Sequence, residues 1–347
     1  MRFLLLKPVK RSLQAILALG VISTAWFVLQ LNPIGGAGKE VVFTVHPGDS
    51  MTQIASEMHA VGIIHSTFAF RIDTALFGSP VVRAGSYEIP QNSSFGFVKS
   101  VLGSAPNVRV VNVLPGLTLR EVEMLIVNDA GNSFANSFAK EVNAAIAASP
   151  YHPNGSLEGL IGPGQYILSP GTTPAKLLKE MQASFAKQAT AAGLTPSATF
   201  QGLSAYKLLI AASIVEKEGY YQSNMPKVAR VIFNRLKRGG SLQMDSTVLY
   251  YLGKDGGRVT PTMLKYKTPY NTYLNAGLTP TPICVVSLAA LKAVMNPPAG
   301  NWLYFTLVSK DGTEAFANTF AEQLANERLA ATRGIKLFGT LVSLATR

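Results

Sequence analysis

A chain of 347 residues with 48% hydrophobic side chains can bury two or three compact cores, which excludes general disorder. Its 31 Lys and Arg against 19 Asp and Glu give a formal charge of +12, pointing to an acidic partner: nucleic acid, an anionic membrane or an acidic polymer. A single cysteine, Cys284, excludes an internal disulfide, and all four histidines precede Pro153, so a centre built from the second half has no imidazole; no metal and no cofactor are expected.

The first element decides the compartment. Ser12 to Leu31 carries no charge over about twenty residues, the length a helix needs to cross a bilayer. Arg2, Lys7, Lys10 and Arg11 precede it, which predicts a cytoplasmic N-terminus (1–11), a single inner-membrane span (12–31) with Trp26 at the interface, and a periplasmic body. A cleaved signal peptide is the rival reading, although the run exceeds the roughly 7–15 residues of a signal core; a buried soluble helix is the bland one. A periplasmic body turns the positive charge away from nucleic acid and toward cell-surface polymer or lipid. From residue 201 onward the chain has 17 Lys and Arg against 8 Asp and Glu, so the basic surplus belongs mainly to its C-terminal part.

After the connector GGAGK (Gly35 to Lys39), residues 40–104 read as a small module: strand EVVFTV, the capping turn PGDS, an amphipathic helix with Ile54, Met58 and Val61 on one face, strand AGSYEI, and a helix closing at Gly103. That order resembles a lysin-motif-like module, a fold associated with N-acetylated glycans; a plain α+β spacer is the alternative. Residues 105–200 follow as a connecting α+β segment. Its strand VRVVNV leads to a helix with Thr118 as cap and Glu121 three residues on, and a later helix starts near Thr173 and Pro174.

Residues 201–335 carry the chemistry. AYKLLIAASIVEKEG reads as a helix ended by Gly219. At about 100° per residue, Glu216 falls between Leu209 and Ala212, while Glu218 projects about 160° away. The two glutamates therefore do not form one pair. Glu216, drawn among apolar neighbours, is the candidate general acid, because burial raises a carboxyl pKa and keeps the proton near neutrality; a structural ion pair is the equally weighted alternative. Glu218 is assigned a supporting role.

The next helix, capped by Ser223 or Asn224 with Pro226 at its start, buries Val228, Ile232 and Leu236 and leaves Asn234 and Arg235 free to reach elsewhere. Gln243, Asp245, Ser246 and Thr247 then offer hydrogen bonds to sugar hydroxyls and acetamides. The segment TPYNTY adds Tyr270 and Tyr273 as faces for sugar rings, interleaved with Asn271 and Thr272; an ordinary polar loop is the alternative. A hairpin turning at Lys310 to Gly312 and a last helix capped by Thr319 and Glu322 precede a tail, 336–347, without an assigned role.

ASIVEKE, VARVIFNRL, LQMDSTVLY, PYNTY and the GL-P-PI step, in this order and spacing, resemble the endolytic murein transglycosylase (YceG-like) family over nearly the whole chain. The resemblance implies an α+β enzyme, membrane-anchored, with Glu216 at the family's catalytic glutamate. Three blocks depart from the family pattern: PGQY (Pro163 to Tyr166) for P-D-T-Y, VVS (Val285 to Ser287) for N-P-G, and GTEAFANTFAEQ with Glu314 and Gln323 near expected histidines.

The implied substrate is peptidoglycan glycan strands, with wall synthases and membrane lipid as further partners and no nucleic acid. The implied reaction is cleavage between MurNAc and GlcNAc within nascent strands, leaving 1,6-anhydroMurNAc ends and ending elongation. One glutamate would serve as acid and then base, without the paired carboxylates of a water-using hydrolase, and Gln243, Asp245 and Asn271 would orient the substrate acetamide. A catalytically silent glycan-binding scaffold and a water-using muramidase are the competing functions.

Overall fold

The computed structural model describes residues 6–335 apart from 153, 154, 170, 220, 255 and 258. It divides into two compact units: residues up to Arg109 with Ile167–Gly171, and Val110–Tyr166 with residues from Thr172 onward. The architecture is mixed α+β, with the strands confined to two-stranded ladders among the described residues. The tail 336–347 lies outside the described residues.

The first unit opens with α1 (Leu6–Leu31), whose 26 residues span about 39 Å, more than the roughly 30 Å hydrocarbon core of a bilayer. Among the described residues it is the one helix long and apolar enough to cross a membrane; a signal sequence has the same character. Ile16, Leu17, Leu19, Val21 and Ile22 each expose 63–69% of their surface, whereas Phe27 and Leu31 in its last turns pack on the unit's core.

Beyond it come β1 (Glu40–Val45), α2 (Met51–Ala60), α3 (Thr67–Phe77), β2 (Gly85–Pro90) and α4 (Phe95–Gly103). β1 and β2 pair antiparallel with Phe43 opposite Tyr87, and their inward residues bury with Ile54, Met58, Phe70 and Phe95. Ser50 and Gln53 form a full capping box on α2. α3 was not anticipated: Ser66 caps it, but its aromatic and β-branched content obscures helical periodicity.

The second unit contains β3 (Arg109–Val113) from Val110 on, paired with β4 (Gly164–Leu168) as far as Tyr166, then α5 (Leu119–Ala130), α6 (Asn132–Ala145), α7 (Pro174–Ala191) and the short hairpin β5 (Thr199–Phe200) and β6 (Leu203–Ser204). Next are α8 (Ala205–Glu218), α9 (Met225–Lys237), α10 (Asp245–Tyr251), a 3-10 turn at Met263–Lys265 and α11 (Leu288–Met295). The hairpin of β7 (Tyr304–Leu307) and β8 (Glu314–Ala317) and the helix α12 (Phe320–Thr332) complete it. The capping boxes Thr118/Glu121 and Thr319/Glu322 form as the sequence predicts. Within this unit α6 and α7 pack on each other, and α7 also packs on α11.

α8 is the centre of this unit. Every residue from Leu208 to Val215 is buried, since α9, α10 and α11 all pack on it. It stops at Gly219, where a Cβ would come within 2.7 Å of Met225 and 3.1 Å of the Val215 carbonyl. The chain therefore needs a glycine to turn into α9 at this close approach.

Candidate active site

Four acidic side chains, Glu158, Glu216, Glu218 and Asp245, lie on the C-terminal part of α8 or around it. Glu216 Oε2 accepts a 2.8 Å bond from the backbone N–H of Ser287, the N-cap of α11. Burial pushes its pKa up, against the lowering effect of the Ser287 bonds and the Lys217 charge. Glu218 Oε1 accepts from Ser246 twice, from the backbone N–H at 3.1 Å and from Oγ at 2.6 Å. Its pKa is raised as well, first by burial and then by the negative charge of Asp245, against the Ser246 bonds and Arg235.

The two glutamates differ in what they face. A cavity of about 190 Å³ is lined by Glu218, Asp245, Ser246, Lys217, Tyr250 and Ile283 among others, and Glu216 is not part of its wall. Glu216 instead lies against the segment that enters α11. Ser213 anchors the same segment, its Oγ accepting from the Ile283 N–H at 3.0 Å. A second cavity, of about 320 Å³, shares Thr118, Tyr250 and Lys254 with the first, so the two adjoin.

Asp245, the first residue of α10, holds the Tyr273 hydroxyl at 2.6 Å. Burial raises the Asp245 pKa and the Tyr273 bond opposes it; the phenol is pushed up in turn by burial and by Asp245. Of the residues expected to meet substrate, Asp245 and Ser246 line the cavity of Glu218 and Tyr270 lines the adjoining one.

Thr247, Asn271 and Thr272 are instead fully buried and bonded inward. Asn271 donates to the carbonyls of Leu264 and Tyr266 at 2.9 Å each and accepts from the Tyr273 N–H, so its amide is spent on shaping the loop. Thr272 Oγ1 bonds the Met244 N–H and Thr247 Oγ1. Gln243 is exposed in a left-handed conformation (φ 52°), its N–H tied to the Thr272 carbonyl at 3.0 Å. Asn234 donates to the carbonyls of Gly300 and Trp302, which pins the approach to β7 onto α9. Leu236, expected in the buried stripe of α9, is only partly covered.

Glu158 belongs to the same surroundings although sequence reasoning passed over it. Only 3% exposed, it accepts from the Leu119 N–H at 2.9 Å and the Tyr250 hydroxyl at 3.1 Å. Burial and, secondarily, the Glu121 charge raise its pKa to about 7, against its hydrogen bonds. The signal was present: Glu158 sits among Leu157, Leu160 and Ile161, an acid in apolar company like Glu216. Among the described residues, the side chains that could gather a metal ion are His46, Asp49 and Glu57 on the first unit. None of them lines either cavity.

Comparison with known proteins gives a consistent picture. A model of the YceG-like family matches residues 43–329. The endolytic murein transglycosylase of Bacillus subtilis (strain 168) is 28% identical over 326 residues, covering 88% of this chain and 89% of that protein. The endolytic murein transglycosylase of Streptococcus pneumoniae (serotype 2, strain D39) is 26% identical over 322 residues, 83% of this chain and 58% of the longer relative. A crystal structure of a YceG-like protein from Listeria monocytogenes superposes with a TM-score of 0.55 at 24% identity, covering 83% of this chain and 99% of that one, which is a likeness of fold. With most of its length matched by the family model, this chain is a member of the YceG-like family.

Proposed function

We propose that the chain is an endolytic lytic transglycosylase that cuts peptidoglycan glycan strands, and that Glu218 is its acid and base. The observation that carries the assignment is that Glu218, with a raised pKa, lines a cavity together with Asp245 and Ser246, whereas Glu216 does not. The names of the relatives supply the substrate class. The roles given to the two glutamates by helical phase are thereby exchanged: Glu216 braces the entry to α11 through Ser287.

Protonated Glu218 gives its proton to the bridging oxygen as the bond from MurNAc C1 breaks. The resulting carboxylate takes the proton of the C6 hydroxyl of the same MurNAc while that oxygen closes on C1. The products are a free GlcNAc hydroxyl and a 1,6-anhydro end, and Glu218 is protonated again, so no water enters the balance. The two Ser246 donors stabilise the carboxylate between these steps. Asp245 lines the same wall, and as a carboxylate it would offset positive charge at C1.

Glu216 as the acid is the second reading, favoured by its own raised pKa. The Glu218→Gln and Glu216→Gln variants decide between them, with mass spectrometry of digested strands as the readout. Loss of the acid should lower the rate by at least about a hundredfold, the scale of general acid–base catalysis. Full activity of Glu218→Gln would sink the assignment. Reducing ends in the wild-type digest would mean a muramidase, and intact strands a scaffold.

The apolar run of α1 beyond Arg11, with Arg2, Lys7, Lys10 and Arg11 on its N-terminal side, supports a single inner-membrane anchor with a periplasmic body. The order β1, α2, α3, β2 with the outer strands paired supports a lysin-motif-like glycan module in the first unit. Contact with lipid follows from the anchor, and contact with wall synthases from the nascent strand as substrate. Protease treatment of spheroplasts, which should digest the body and spare the N-terminus, checks the orientation.

A further inference from the structure

We infer that the larger cavity beside Glu218 is a second saccharide subsite, which takes the hexosamine neighbouring the ring at the scissile bond, and that Glu158 is the positioning residue for its shared wall. The inference rests on the reading of Glu218 as the cleaving group. Because the two cavities share Thr118, Tyr250 and Lys254, one strand can run through both without leaving the protein surface. An enzyme that cuts inside a strand has to hold sugar on both sides of the bond.

The wall is aromatic. Tyr251 and Tyr270 lie 24° from parallel with centroids 6.4 Å apart, and Tyr250 meets Tyr270 at 5.2 Å. Two of the hydroxyls are already spent: Tyr250 donates to Glu158 at 3.1 Å, and Tyr270 is bonded to Thr281 at 2.8 Å. Their rings rather than their hydroxyls are therefore the surface on offer, which suits the C–H face of a pyranose. Tyr251 is 53% exposed, an uncovered aromatic beside a cavity.

Arg120 and Lys254 supply donors for hydroxyls and acetamide oxygens. Arg120 uses one nitrogen on the Gly253 carbonyl, and a guanidinium carries further donors beside it. The acidic Glu121 is occupied with the Thr118 cap.

Glu158 holds this wall in place. It ties Tyr250 to the Leu119 N–H at the start of α5. Its own turn has little room to move, since Gly159 is left-handed (φ +74°) and a Cβ there would lie 2.6 Å from Pro282. Tyr250 lines both cavities, so its orientation sets the register between the two sugars.

The test uses full-length Glu218→Gln protein, which binds without turnover, titrated calorimetrically with the GlcNAc–MurNAc disaccharide and tetrasaccharide from muramidase digests. The tetrasaccharide should bind at least tenfold more tightly than the disaccharide. Tyr251→Ala should remove most of that advantage. In the otherwise wild-type enzyme, Glu158→Ala should raise KM severalfold with little change in kcat, and Glu158→Gln, still able to accept hydrogen bonds, should recover it.

An unchanged tetrasaccharide advantage in Tyr251→Ala, or no tetrasaccharide binding, overturns the subsite. Should Glu158→Ala not fold, the Tyr251 comparison decides alone. Length-dependent binding lost in Tyr251→Ala without any wild-type cleavage would keep the subsite and discard the catalytic reading; cleavage with Tyr251 irrelevant would do the reverse.

Discussion

Glu158 makes the second unit less stable as the pH rises, and the effect has a size. Burial, aided by Glu121, raises its pKa from 4.5 to about 7. Between those values the folded protein keeps a proton that the unfolded chain has released, so stability falls with increasing pH in this window. The contribution is fully present below about pH 4.5 and gone above about 7. At about 1.4 kcal/mol per pH unit it amounts to roughly 3 kcal/mol. Glu158→Gln removes the titration while preserving an acceptor for Leu119 or Tyr250. Denaturant unfolding of the detergent-solubilised chain, followed by Trp302 fluorescence in a Trp26→Phe background, reports on the second unit. The wild type should lose about 3 kcal/mol more than Glu158→Gln between pH 4.5 and 7.5. Equal slopes in the two proteins, or a wild type that gains on Glu158→Gln as the pH rises, would refute the reasoning.

Three further outcomes follow from the same geometry. Asp245 raises the Glu218 pKa through its charge, behind burial, so Asp245→Asn should move the alkaline limb of the kcat/KM profile to lower pH, because the acid then loses its proton earlier. Gly159→Ala places a Cβ 2.6 Å from Pro282 at a left-handed position and should destabilise the second unit by at least about 1 kcal/mol, read as a lowered unfolding midpoint. In the first unit, Lys99 Nζ meets the 4%-exposed Asp73 at 2.7 Å; Lys99→Met strands that carboxylate and should cost about 3 kcal/mol by denaturant unfolding, with Asp73→Asn recovering part of the loss.

What the sequence disclosed and what it concealed divide along the range of the interactions. Capping boxes at Thr118 and Thr319 join residues three apart, and both are legible as pattern. α6 follows Gly131, which has no side chain to cap it, and so gives no start signal. Helical phase alone does not choose between Glu216 and Glu218, because phase separates an apolar face from a wet one, and Leu208 to Val215 of α8 are buried all round. Which glutamate meets the cavity depends on where α10 lies, through Ser246, 28 residues further on. Tyr250 and Glu158 are 92 residues apart, and no local pattern brings them together. Asn271 and Thr272 read as polar recognition groups; the backbone of their own loop and of Met244 claims them first.

Glu158, Glu216 and Glu218 also answer why a protein so rich in Lys and Arg does not simply neutralise them. Each has a backbone N–H at the start of a helix as a bonding partner: Leu119 of α5 for Glu158, Ser287 before α11 for Glu216, and Ser246 in α10 for Glu218. Those N–H groups have no acceptor within their own helices, so the carboxylates satisfy them while being satisfied. A close Lys or Arg partner would favour the ionised form strongly and pull the pKa down. N–H donors give a smaller pull that burial outweighs, and all three pKa values end up raised. A glutamate held in this way is fixed in position yet still carries its proton above the ordinary carboxylate range. A reaction that needs one group to donate and then recover a proton requires both properties, and in Glu218 they coincide with access to the cavity.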